Sequence, residues 1–251
     1  MKDFTEHFFM LYNKLKNKEH YAFSRFSDGE LRIMENKELI LGDNFNKIGT
    51  RRRRSHYTPE DRKHFDPKYH QYIRQRLMDA YQYKKKNYYV GLSCRCCVGP
   101  AGFNKMVKWR GGDDEYLTWS NLWVNANYPL FVEHMIPEFG KNRIVYICNE
   151  NANLSGLPFE VEKDFRVGDN CIVNDFLLYW AIGGWIHREG ITDRVFLFSA
   201  SSLSNVLIYE LYRWFGPINT YLDIGTTLNP YIGLPGTRGY LTGKNRKQCI
   251  W

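Results

Sequence analysis

Apolar residues recur at helical spacing from the start of the chain. Phe4, Phe8, Leu11 and Leu15 fall on one face with lysines on the other, which predicts an amphipathic helix over 4–17. An extended aromatic run from Tyr21 to Phe26 follows, and the helix should pack beside it. The spacing from Pro67 to about Tyr83 predicts another helix, ending in Lys84, Lys85 and Lys86, cations that suit a helix C-terminus. Strand-like runs then stand at 88–93, 143–148, 194–199 and 220–224, separated by helix-like segments at about 122–139, 173–189 and 202–215. Strand alternating with helix predicts an α/β, Rossmann-like fold: a mostly parallel sheet with helices on both faces. Ligands of such sheets bind outside the carboxyl ends of the strands, so Ser93, Asn149, Ser199 and Gly225 are expected to look into one crevice. No internal repeat or interdomain linker is visible, and 1–251 reads as a single domain with a basic, insertion-like region at about 43–86.

Composition narrows the class. With 43% hydrophobic and 16% aromatic residues in 251, the chain can bury a substantial core. The formal charge of +8 calls for a negatively charged partner, whether nucleic acid, acidic glycan, membrane surface or nucleotide. Asp3, Glu6, His7 and Lys14 interrupt every early apolar run, which argues against a secretory signal. The longest apolar stretch, Ile172 to Ile186, carries Asn174 and Asp175 and is too short to span a bilayer. Six cysteines, three of them crowded at Cys94, Cys96 and Cys97, do not make a disulfide scaffold. A reduced, cytoplasmic protein without a membrane span is the expectation, in a host cytoplasm if the chain is viral.

Three segments carry candidate chemistry. Ser24-Arg25-Phe26-Ser27-Asp28-Gly29-Glu30 places two carboxylates around a glycine directly after the aromatic run. In a strand or tight turn Asp28 and Glu30 face one side and can converge on a hard cation, while Gly29 admits a phosphate. The plainer alternative is a turn at Asp28-Gly29 with Glu30 opening a helix. In the second segment, the strand at 194–198 runs into Ser199, Ser201, Ser202, Ser204 and Asn205 at a helix start, a seat for a phosphate or a ribose; ordinary serine capping is its alternative. The third, Thr220 to Thr227, delivers Asp223 and Gly225 to the same edge. There Asp223 can bond a ribose, bind the metal, act as a base, or simply cap the turn.

Taken in order, Arg25 to Glu30, the Val90-Gly91-Leu92 strand, Asn127 to Phe131, the strand at 143–148, Ser199 to Leu211 and Asp223-Ile224-Gly225 resemble the GT-D glycosyltransferases, formerly a domain of unknown function. The resemblance covers most of the chain, although the region 43–86 does not contribute. It implies a divalent metal, manganese or magnesium, on Asp28 and Glu30, together with a nucleotide-sugar donor, a uridine diphosphate sugar by expectation. Thr226 stands where the family often has histidine, so no imidazole role carries across, and Ser27 stands where glycine is common.

The chemistry agrees with the residues. A departing nucleoside diphosphate needs electrostatic stabilisation, which a cation, helix-terminal amides and Arg25 can supply; the alternative for Arg25 is an ordinary ion pair. Candidate bases for an acceptor hydroxyl are Asp113, Asp114, Glu115, Glu150, Asp175 and Asp223. The loop from Trp109 to Tyr116 is a candidate acceptor lid. Cys94-Arg95-Cys96-Cys97 has the wrong spacing for a usual zinc pair and reads as a reduced thiol cluster at a strand end. Arg51, Arg52, Arg53 and Arg54, with tyrosines interleaved through the basic region, read as a solvated face or as a contact for a polyanionic acceptor. The expected activity is metal-dependent transfer of a sugar to a hydroxyl, on a glycan or glycoprotein or on a hydroxyl-bearing modified base in DNA. The rival from another class is a nucleic-acid-binding module on a catalytically degenerate transferase fold.

Overall fold

The structure is a computed structural model that describes residues 3–41, 46–48, 51–53 and 62–243, with backbone alone at 46–48 and 51–53. Arg54 and Cys249 lie outside the described residues, as do Thr58-Pro59-Glu60-Asp61, a sequence that predicts a capped helix start with proline at its first position, and the side chains of Arg51, Arg52 and Arg53.

Helix α1 (Phe4–Lys16) starts at Asp3, whose carboxylate accepts the Thr5 N–H at 2.9 Å, and buries Phe4, His7, Phe8, Leu11 and Leu15. Strand β1 (Ala22–Phe26) leads into α2 (Asp28–Met34). The basic region holds β2 (Leu39–Leu41), β3 (Asn46–Ile48), β4 (Arg51–Arg53) and β5 (Lys63–Phe65), paired antiparallel as β2 with β5 and β3 with β4. Then come α3 (Gln71–Gln82), β6 (Tyr88–Leu92), α4 (Arg95–Arg110) and β7 (Leu117–Trp119).

The helix expected over 122–139 is broken into α5 (Tyr128–Leu130), a π-helical turn at Phe131–Met135 and α6 (Ile136–Phe139). Pro129 and Pro137 explain the break, because each lacks an N–H and crowds the carbonyl four residues earlier. The remaining elements are β8 (Arg143–Asn149), β9 (Val161–Val167), α7 (Cys171–Asn174), α8 (Leu178–Glu189), β10 (Arg194–Phe198), α9 (Leu203–Phe215) and β11 (Thr220–Asp223).

Seven strands form one sheet in the order β7-β6-β1-β11-β10-β8-β9, every neighbour parallel. Consecutive residues of β6 and β11 are all buried. Since successive side chains point to opposite faces, both faces of the sheet are covered, as a parallel sheet requires. Edge strand β9 is the exception, with a largely exposed, charged sequence. The chain leaves β1 toward β6 on one side and returns on the other through β10 and β11, so β1 and β11 flank the point where the strand order reverses. Among the described residues no helix is long and apolar enough to cross a membrane.

Candidate active site

A cleft of about 570 Å³ opens at the carboxyl edge of the sheet. Ser93, Asn149, Ser199 and Gly225, the residues expected at the strand ends, all line it. Its acids, among the described residues, are Asp28, Glu30 and Asp223, and its bases are Arg25, Arg32, Lys63 and Arg238. The cleft thus concentrates the positive charge that the composition calls for, around a small acidic centre.

Local sequence decides how the acids stand. Helix α2 begins at Asp28 itself, because Glu30 accepts the Ser27 N–H on Oε2 at 2.9 Å in a capping arrangement. Two positions along a helix turn a side chain by about 200°, so the same-face geometry of a strand does not apply here. Asp28 stays exposed with no hydrogen bond or ion pair among the described residues, whereas Glu30 turns inward and is 7% exposed. The Ser202 hydroxyl donates to Glu30 Oε1, tying the start of α9 to the start of α2.

Asp223, at the end of β11, is the acid that Glu30 faces electrostatically. Its carboxylate accepts the Gly225 N–H at 3.0 Å and the Arg25 N–H at 3.3 Å, and the Arg25 guanidinium lies 3.9 Å away. Burial pushes the Asp223 carboxyl up to about 7; Arg25 and the two N–H donors pull it back, and the charge of Glu30 pushes it further. Arg25 is placed by its own contacts, with Nε donating to the Ser120 carbonyl. Its guanidinium covers Gly225, where a Cβ would meet Nη1 at 2.5 Å and where φ is +55°. Only glycine meets both conditions.

The serine-rich turn divides in two. Ser199 and Ser201 line the cleft, with Ser199 hydrogen-bonded to the Tyr146 hydroxyl at 2.9 Å and Ser201 at φ +54°. The backbone N–H groups of Ser201 and Ser202 have no partner among the described residues. Ser202, Ser204 and Asn205 are buried and used internally. Ser202 holds Glu30, Ser204 Oγ accepts the Ala200 N–H at 3.1 Å, and Asn205 Nδ2 donates to the Arg25 carbonyl at 2.7 Å and to Ser24 Oγ at 3.0 Å. The apolar stripe of α9 packs on the sheet, and the same face carries these polar residues inward.

Asp114 is not part of the cleft. It accepts from Arg110 Nε at 2.9 Å and from the Tyr116 N–H at 2.9 Å, and lies 3.5 Å from Lys84. Burial works against its charge, yet these partners hold its carboxyl below the ordinary range. It precedes β7, so it sits at the amino edge of the sheet, opposite the cleft. The loop from Trp109 to Tyr116 shares that edge and is no lid for this cleft. Of the six candidate bases, only Asp223 lines it.

Among the cleft residues that the sequence pattern did not single out are Ser120, Asn121, Asn229, Arg238 and Tyr240. Asn121, just after β7, is 3% exposed and lines the cleft, and neither its amide nitrogen nor its side-chain oxygen has a hydrogen-bond partner among the described residues. Its only signal was position after a strand of three residues, too short to show a period.

No protein-family model matches the sequence, and no curated protein matches it. Solved structures do. One, described as domain of unknown function 1792 with a distinct glycosyltransferase fold, superposes with a TM-score of 0.56 at 14% identity, covering 97% of this chain and 83% of its own. A selenomethionine structure of the same domain gives 0.53 at 15% identity, over 97% and 88%. A third, described as a new glycosyltransferase from Streptococcus sanguinis, gives 0.54 at 13% identity, over 88% and 80%. Likeness across nearly the whole chain at such low identity establishes architecture, and the chain has the glycosyltransferase fold of the GT-D structures.

Proposed function

We propose that this protein is a metal-dependent glycosyltransferase that moves a sugar from a nucleotide donor to an acceptor hydroxyl. The observation that carries the reading is the meeting of Asp28, Glu30 and Asp223 with Arg25 in one cleft at the reversal point of the sheet. The donor set is chemically suited to a hard divalent cation such as manganese or magnesium. Its oxygens are carboxylates, Asp28 is uncommitted, and the crowding of Glu30 and Asp223 is the kind that a cation relieves. Although they leave the start of α2 in different directions, Asp28 and Glu30 both line the cleft and would hold the ion between them, which when bound would neutralise charge on the diphosphate.

The chain's own residues do the rest. Arg25 and the N–H group of Ser201, both at the cleft, would hold the diphosphate oxygens, with Ser199 beside them. The acceptor oxygen attacks the anomeric carbon, its proton passes to the Asp223 carboxylate, and the bond from that carbon to the phosphate oxygen breaks. Of the acids in the cleft, Asp223 is the one at a strand end with its carboxylate fixed by backbone N–H groups, which suits a positioned base. Screening UDP-, GDP- and CMP-sugars with manganese is expected to show consumption of one donor class, a uridine diphosphate sugar first. Consumption of none, together with retention on nucleic acid, would favour the degenerate binding module.

Asn121 supplies a second check. An unpaired buried amide costs about 1–3 kcal/mol until a ligand satisfies it. Asn121→Ala is therefore expected to leave the melting temperature unchanged or higher while raising the KM of donor or acceptor about tenfold, read from steady-state kinetics.

For the acceptor, the position of the basic strand favours a polyanion. Leu39, Ile40 and Leu41 of β2 line the cleft, and β3 and β4, which carries Arg51 to Arg53, follow directly. If the acceptor is DNA, retention on duplex should fall steeply between about 50 and 200 mM salt and disappear when Arg51, Arg52, Arg53 and Arg54 are replaced by Ala. No retention at low salt would leave a glycan or glycoprotein.

A further inference from the structure

The spacing of Cys94, Cys96 and Cys97 argues against a usual zinc pair, but folding changes the geometry. Strand β6 stops at Leu92, Cys94 occupies the position before α4, and Cys96 and Cys97 lie in its first turn. The three Sγ atoms lie within 4.8 Å of one another, the one such grouping of three metal-ligating side chains among the described residues. Cys94 Sγ and Cys96 Sγ are 2.7 Å apart. Cys94 is buried, Cys96 and Cys97 are exposed, and none of the three is in a disulfide. The helical path breaks at Gly99, with φ +73°, so this turn is separate from the body of α4.

We propose that Cys94, Cys96 and Cys97 form a three-thiolate site for a thiophilic d10 cation, with zinc as the occupant and a solvent oxygen as its fourth ligand. A zinc–sulfur bond of about 2.3 Å in tetrahedral geometry separates the sulfurs by about 3.8 Å. The cluster reaches that spacing by side-chain rotation, chiefly by opening the Cys94–Cys96 contact. Each thiol gives its proton to solvent on binding, and three thiolates with one divalent cation carry a net charge of −1. Arg95, whose guanidinium sits 4.8 Å from the centre of the Phe103 ring, lies between the ligands in sequence and is a nearby compensating charge. Soft sulfur donors select zinc, cadmium or copper(I), whereas the carboxylates of Asp28, Glu30 and Asp223 select harder ions, so the two sites sort metals by chemistry. Cys97 also lines the cleft, which places the bound ion at its rim. This site stands independently of the sugar-transfer reading.

The test uses the reduced full-length chain, stripped with a chelator and titrated with cadmium as a spectroscopic probe. Expected are a cadmium–thiolate charge-transfer absorption that saturates at one ion per chain, release of protons, reversal by excess chelator, and displacement by cadmium of zinc loaded beforehand. The double variant Cys96→Ser with Cys97→Ser changes only exposed side chains, and circular dichroism confirms its fold; it is expected to lose the absorption. The proposal is overturned if the wild-type chain shows no such absorption. It is equally overturned if the double variant keeps the absorption undiminished, which would assign the ion to Cys148, Cys171 or Cys249.

Discussion

Asp223→Asn is expected to lower sugar transfer by about 10²–10⁴-fold, the range for removing a general base, and at the same time to stabilise the metal-free fold at neutral and alkaline pH. The two effects share one cause. Asp223 is 6% exposed and faces Glu30, and its carboxyl is pushed up to about 7 from an ordinary value of 3.8. Between those values the folded state binds a proton that the unfolded chain has released. Stability is therefore full below about pH 4, falls as pH rises toward 7, and levels off above it. A difference of about three units corresponds to about 4 kcal/mol. The Gly225 and Arg25 N–H groups bond different oxygens of the carboxylate, so Asn keeps an acceptor for only one of them and also removes the charge that Arg25 partly compensates; the net gain should therefore be reduced to about 1 kcal/mol. Thermal melts from pH 4 to 9 should show the wild type losing stability through this window and the variant crossing above it. A variant that melts lower at pH 8 would contradict the burial account of Asp223, and one that transfers sugar at the wild-type rate would remove it as the base.

Much of this site was legible because parallel sheets deliver residues to one edge by rule. The runs at 88–93, 143–148, 194–199 and 220–224 became β6, β8, β10 and β11, and Ser93, Asn149, Ser199 and Gly225 line one cleft as expected. What escaped had physical reasons. Strand β9 alternates charge on an exposed edge, β7 is three residues long, and the start of α4 is interrupted by Gly99-Pro100, so none carries a clear hydrophobic period. Asp114 is close in sequence to an apparent acidic loop, but only the direction of β7 shows that it belongs to the opposite edge. Ser204 and Asn205 have the composition of a ligand seat, yet the helix turns both inward: Asn205 holds Ser24 and the Arg25 carbonyl of β1, and Ser204 accepts the Ala200 N–H. For Asp28 and Glu30 the motif was visible and its conformation was not. Ser27 with Glu30 three positions on is also a capping signature, and it sets a helix where a strand-like pair was expected.

That helical setting makes Asp28 the cleanest handle on the proposed metal. Replacing Glu30 would break its bonds to the Ser27 N–H and the Ser202 hydroxyl and so confound binding with folding. Asp28 is exposed and has no partner among the described residues, and Asp28→Ala gives up only a favourable charge at a helix start, about 0.3–1 kcal/mol. Its expected effect on the ligand is much larger. A carboxylate removed from the metal's shell should weaken manganese-dependent diphosphate binding at least tenfold, or about 1.4 kcal/mol, with transfer falling in step. Calorimetric titration of uridine diphosphate into the wild type and Asp28→Ala, each with and without manganese, tests the account most directly. It predicts that manganese tightens binding to the wild type at least tenfold and has little effect on a folded Asp28→Ala; equal binding under all four conditions would contradict it.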